Sequence, residues 1–174
     1  TNLFIAPLKL KEIIVSLVFT ALIRTLIGLV PAIILTSPLF GVSILKLGLP
    51  LLLLFLSLYI FGITLGLFVS AGLMRYGPSF ENIAWSSLFL LAPLGCIYYP
   101  IEILPNFFQI VAKCLPLVYI FDETRNILLN GFINYENLKQ AYLLNLIYLT
   151  FVFGLFYYSV WEARIKGTLI NMGE

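Results

Sequence analysis

Few side chains in this sequence are equipped for chemistry, and their spacing narrows what that chemistry can be. Arg24 is the only charge in the apolar run 13–35. At 1.5 Å per residue it lies about 16 Å along that run, near the centre of a membrane crossing. A central arginine costs roughly 2.5–3.5 kcal/mol on insertion scales. The run also holds fifteen Leu, Ile, Val and Phe residues, each favourable by about 0.3–0.6 kcal/mol, so it inserts regardless. Ser16, Thr20, Arg24 and Gly28 recur every four residues and form one small or polar stripe, which belongs against other helices or a wet cavity. Arg24 either meets an anionic substrate group along a pathway, or bonds backbone carbonyls and snorkels.

Asp122, Glu123 and Arg125 form the other charged group. Asp122 and Arg125 are three residues apart and can pair on one helix face. Adjacent carboxylates point about 100° apart on a helix, so Asp122 and Glu123 make no acid–base dyad. They read instead as acidic residues in the first turn of a helix. There is no histidine, which excludes zinc-protease and Ser–His arrangements within this chain. There is no G-x-S-x-G elbow and no G-x-x-x-x-G-K-[ST] phosphate loop. The chain is therefore expected to be no enzyme, to bind no cofactor or metal, and to leave any ATP hydrolysis to another subunit. Cys96 and Cys114 make no metal framework. They are two small apolar side chains, or a disulfide if both face an oxidising compartment.

The elements that must carry these residues follow from composition. Of 174 residues, 61% are hydrophobic and 10% charged, and the mean hydropathy is +1.06. Soluble domains carry about 25% charged residues, so the bilayer is the expected solvent. The net charge of +2 comes from scattered Lys and Arg, which form no nucleic-acid-binding stripe. The expected fold is all-α: a polytopic transmembrane bundle with a re-entrant helical hairpin before the last span, forming one transmembrane domain over 1–174. Spans are expected at 13–35, 47–73, 83–99 and 138–161. Ser37-Pro38 and Gly77-Pro78 mark turns in the connectors. Gly62, Gly66 and Ser70 recur every four residues in the second span, a helix-packing signal for another span or subunit.

The connector 100–137 is long but apolar, with Phe107, Phe108, Ile110, Leu115, Val118, Ile120 and Phe121. Pro105, Lys113, Pro116 and Asp122 cut it into pieces too short to cross, as in re-entrant or interfacial helices. Such backbone at membrane depth lines a cavity or is buried in protein, so a gate is expected here. An amphipathic pair lying flat on the surface is the other reading. Four spans place both termini on one side. Lys9, Lys11, Arg75, Arg164 and Lys166 lie on that side and Lys46, Lys113, Arg125 and Lys139 on the other; long loops count less, which discounts Lys113 and Arg125 and favours cytoplasmic termini by the positive-inside rule.

In order and spacing, these pieces resemble the type-2 ATP-binding-cassette exporter permeases. The resemblance is carried by Tyr99-Pro100, Leu104-Pro105, Leu115-Pro116, Tyr119 and Arg125, by Phe61-Gly62 and Leu65-Gly66, and by Ala6-Pro7-Leu8 followed by Glu12. It covers residues 3 to about 161. It implies a permease dimer (homo- or heterodimer) in a bacterial inner membrane, with a separate cassette ATPase that uses ATP on the cytoplasmic side. It also implies six spans, so this chain is expected to be a fragment lacking two N-terminal ones. By position, Pro7, Leu8, Lys9, Lys11 and Glu12 would lie in a cytoplasmic amphipathic coupling segment (1–12). Tyr99, Pro100, Pro105, Pro116, Tyr119 and Arg125 would form the outer gate, with Arg24 on the pathway. The cargo class is amphiphilic: a drug-like compound, a lipid or a lipid-linked glycan. A passive channel, or a non-transporting anchor or assembly subunit, is the rival expectation.

Overall fold

In a computed structural model of the chain, residues 10–40, 48–131 and 133–166 are described. They are helical, without a strand among them. The elements are α1 (Leu10–Phe40), α2 (Leu49–Tyr76), α3 (Phe80–Leu94), a 3-10 turn (Ile101–Ile103), α4 (Asn106–Lys113), α5 (Pro116–Asn130) and α6 (Tyr135–Lys166). Three helices are long and apolar enough to cross a membrane, over Ile14–Thr36, Leu49–Tyr76 and Tyr135–Ile165. The chain is therefore read as membrane-embedded. α3 has 15 residues, about 22 Å at 1.5 Å each, and is not one of the three.

The chain divides into two compact units, with the boundary between Leu52 and Leu53. The first contains α1, an aliphatic helix with Pro31 and Pro38 inside it. Each proline removes one i→i−4 hydrogen bond. Along α1, Thr20 returns its hydroxyl to the Ser16 carbonyl at 2.8 Å. In the second unit, α2 ends on Gly77 at φ 75°, whose N–H closes on the Leu73 carbonyl at 2.9 Å. Glycine adopts this left-handed cap without steric penalty, and Pro78 then stops the helix. The turn lets Phe80 of α3 fold back over Gly72, where a Cβ would fall inside the Phe80 ring.

α2 and α6 run in the same direction, as three polar links show. Tyr142 donates its hydroxyl to the Leu53 carbonyl at 2.8 Å. Asn145, 1% exposed, donates its amide to the carbonyl and hydroxyl oxygens of Ser57, both at 2.9 Å. Arg75 pairs with Glu162 at 3.5 Å. Rising numbers on α2 meet rising numbers on α6, so the two helices are parallel. In an apolar medium each such link is worth about 0.6–2 kcal/mol.

α5 and α6 form an antiparallel hairpin. Glu123 bonds Asn137 near the turn, and Tyr148 bonds Cys114 far from it. α5 closes on Gly131 at φ 75°, a second left-handed helix cap. α4 packs on α5 and on the segment after α3 through Cys96, Ala112 and Val118, with Tyr99, Ile101, Leu104 and Leu115 around them. Gly95 is where α3 meets α5: a Cβ there would lie 2.9 Å from Leu117 Cδ1 and 2.9 Å from the Leu91 carbonyl oxygen. Gly95→Ala is therefore expected to lower stability by about 1–3 kcal/mol, measured by unfolding in detergent. A Cβ at Gly62 meets nothing within 4 Å, and alanine favours helix by up to about 1 kcal/mol, so Gly62→Ala should not destabilise. Equal losses for the two variants would contradict the packing.

Candidate functional site

A group of polar side chains of the second unit converges where the end of α3, the middle of α5 and the start of α6 meet. The chain leaves α3 through Gly95 and then Cys96, which sits at φ 52°, a left-handed conformation rare outside glycine. This turn aims two carbonyls at one guanidinium. Arg125 Nη2 donates to the Cys96 carbonyl and to the Tyr99 carbonyl at 2.7 Å. Arg125 Nη1 lies 3.8 Å from Asp122 Oδ1. The planar fork of arginine suits two acceptors plus a carboxylate. Tyr99 holds the turn from its other end, donating its hydroxyl to the Pro93 carbonyl at 2.8 Å.

Beside Asp122, Glu123 is fully buried, 0% exposed. Its Oε1 accepts the Asn134 backbone N–H at 2.6 Å, and its Oε2 accepts the Asn137 amide at 3.2 Å. The same amide lies 3.4 Å from Asp122 Oδ2. Asn134 Oδ1 in turn accepts the Glu136 N–H at 3.1 Å, a side-chain cap on the first turn of α6. A carboxylate at a helix N-terminus meets the positive end of its dipole, so Glu123 ties α5 to the origin of α6. A cleft of about 410 Å³ opens over this junction, lined by Pro100, Asp122, Arg125, Asn126, Leu129, Asn134 and Asn137. Its chemistry is mixed hydrogen bonding with one cation and one accessible carboxylate. Among the described residues no three His, Cys, Asp or Glu gather to hold a metal.

The structure brings Tyr99, Pro100 and Arg125 to this one place. Pro105 precedes α4. Pro116 is the first residue of α5 and is buried, where its fixed φ favours helix initiation. Tyr119 donates to the Lys113 carbonyl at 3.1 Å, at the α4–α5 turn. Arg24 lies in α1, exposed, within the first unit. Gly62 and Gly66 have open space around them, and Ser70 donates to the Gly66 carbonyl at 2.8 Å. Pro7, Leu8 and Lys9 lie outside the described residues, whereas Lys11 and Glu12 are exposed at the start of α1. Two expectations are corrected. Ser37-Pro38 marks no turn, because Pro38 lies inside α1, which runs to Phe40. Asp122 and Glu123 do not open a helix, because α5 starts at Pro116 and has no acidic residue in its first turn. The apolar residues 117–121 had masked that earlier start.

Glu123, Asn134 and Asn137 escaped the sequence reading as a constellation. The available signal was the pair Asn134 and Asn137, one helical turn apart, beginning a span just after a glycine-capped helix. Both cysteines are free, Cys96 buried and Cys114 exposed. Cys96 is packed against Ala112 and Val118, out of reach of reagents. In detergent at neutral pH, a maleimide is therefore expected to label one thiol per chain, at Cys114. Loss of labelling in Cys114→Ser, by mass spectrometry, checks this; rapid labelling of Cys96 would contradict the buried junction. No family model, curated protein or solved structure matches this chain.

Proposed function

We propose that this chain is the membrane-spanning permease part of an ATP-driven exporter for an amphiphilic cargo, with a cassette ATPase and a second permease copy as partners. The observation that carries the reading is the construction of the α4–α5 turn. The Ile110 carbonyl takes the Cys114 thiol, and the Val111 and Ala112 carbonyls take the Cys114 and Leu115 N–H groups. The Lys113 carbonyl takes the Tyr119 hydroxyl, and the Cys114 carbonyl takes the Tyr148 hydroxyl at 2.9 Å. A helix end normally leaves its last carbonyls to water. Here the chain's own donors close five in a row, as backbone at membrane depth requires.

Tyr148 is 13 residues beyond Tyr135, about 20 Å along α6. With α6 spanning the bilayer, the turn reaches mid-membrane, and α4–α5 enters and leaves by one face. The parallel α2 and α6 add a second argument: a chain that crosses twice in one direction must return between them. The segment from α3 to about Tyr99 is placed to do so, with its end at Arg125, beside the start of α6. A hairpin held at its base by Arg125 and Glu123 and reaching mid-membrane at its tip has the parts of a gate that a partner's ATP cycle could bias between two arrangements.

The test is purification from native membranes with its partners. A cassette ATPase should co-purify, and its hydrolysis should depend on this chain. Ion conduction in bilayers without nucleotide, and no associated ATPase, would replace the exporter with a channel.

A further inference from the structure

We propose that Lys113 is an anion-binding site at the tip of the α4–α5 hairpin, set for the phosphate, sulfate or carboxylate head of an amphiphile. The inference rests on the membrane placement proposed above and names the charge class that the gate would meet. Lys113 is the last residue of α4 and is exposed. The neighbouring Cys114 carbonyl is bonded to Tyr148, close to the middle of the α6 span Tyr135–Ile165. The ammonium therefore starts from mid-depth, more than a four-carbon stem can snorkel to either surface. A cation there needs a counter-charge or water.

Among the described residues Lys113 makes neither of the ordinary compensating contacts. Lysine at a helix C-terminus commonly bonds the last carbonyls, but the carbonyls from Ile110 to Cys114 already have donors. Nor is a carboxylate at hand. Among the described residues of this unit, Asp122 and Glu123 lie at the start of α6. Glu136 is in the first turn of α6, Glu81 is in the first turn of α3 and Glu102 is in the 3-10 turn. Glu162 pairs with Arg75 near the far end of α6. Lys113 makes no ion pair among the described residues. A compact ammonium with three donors and an unanswered charge is a receptor for an oxyanion.

The native Cys114, exposed and next in sequence, reports the local charge without any new residue. The whole chain in phosphatidylcholine vesicles is treated with an anionic sulfonate-bearing and a cationic trimethylammonium-bearing methanethiosulfonate, with rates normalised to a free thiol. The anionic reagent should react with Cys114 about tenfold faster than the cationic one. That preference should vanish in Lys113→Gln and persist in Lys113→Arg. Dodecyl phosphate should protect Cys114 in the wild type and inorganic phosphate should not. Equal rates for the two reagents, no labelling of Cys114, or protection by neither phosphate would overturn the site. Protection by inorganic phosphate alone would overturn the amphiphile as its occupant. If the charge preference is absent while the hairpin still labels from one face, Lys113 fails and the proposed gate stands.

Discussion

Glu123→Ala is expected to destabilise the second unit by about 2–5 kcal/mol, from the loss of two hydrogen bonds to a buried carboxylate. The carboxylate is fully buried and serves two donors at once, the Asn134 N–H and the Asn137 amide. Alanine takes the carboxylate from the Asn134 N–H and leaves the Asn137 amide only Asp122 as an acceptor, and a hydrogen bond to a charged group contributes about 1.5–3 kcal/mol. Glu123→Gln keeps one acceptor oxygen and loses the charge, so it should retain about half of the stability lost in alanine. Denaturant or SDS titration in detergent reads both. The signature is local as well as global: hydrogen exchange should rise first at the start of α6, whose first turn Asn134 caps. Were Glu123→Ala as stable as the wild type, the carboxylate would not be what joins α5 to α6.

Arg125→Leu is the second large effect. Arg125 bonds the Cys96 and Tyr99 carbonyls and faces Asp122. Leucine fits the helix but strips donors from two turn carbonyls and leaves Asp122 without its cation. The expected loss is about 2–4 kcal/mol, carried by the two carbonyls rather than by the half-exposed Asp122 pair. The Cys96 turn is held in an unfavourable left-handed conformation, which persists only while its surroundings enforce it. Release of that turn should expose Cys96, so Arg125→Leu should label at two thiols where the wild type labels at one. Arg125→Lys, which offers donors but no planar fork, should fall between the two. One labelled thiol in Arg125→Leu, with unchanged stability, would remove the guanidinium from the account.

The sequence makes the class of this fold plain and leaves its junction hidden, for physical reasons. Long runs of Leu, Ile, Val and Phe with hardly a charge admit one environment, so three of the four expected spans could be read at once; at the fourth, 83–99, the structure has the 15-residue α3. Gly77-Pro78 and the Asp122–Arg125 pair are local in sequence, and both appear as expected. The proline-cut connector was legible as short helices because proline acts on its own neighbours. The partners of Arg125 lie 26 and 29 residues away, and those of Asn145 lie 88 away. No periodicity encodes such pairings; they follow from tertiary packing. Glu123 was misread because its neighbours 117–121 look like a span interior, whereas Pro116 had already begun the helix.

The central claim is that α4–α5 enters and leaves the membrane by one face while α2 and α6 cross it in parallel. Single cysteines at Glu102, Leu129 and Tyr76, each in a Cys96→Ala, Cys114→Ser background, report this directly in sealed vesicles with an impermeant maleimide. The account predicts that Glu102→Cys and Leu129→Cys label from the same side and Tyr76→Cys from the opposite one. Labelling of Glu102→Cys and Leu129→Cys from opposite sides would mean that α4–α5 traverses the bilayer, and the proposed gate would be gone.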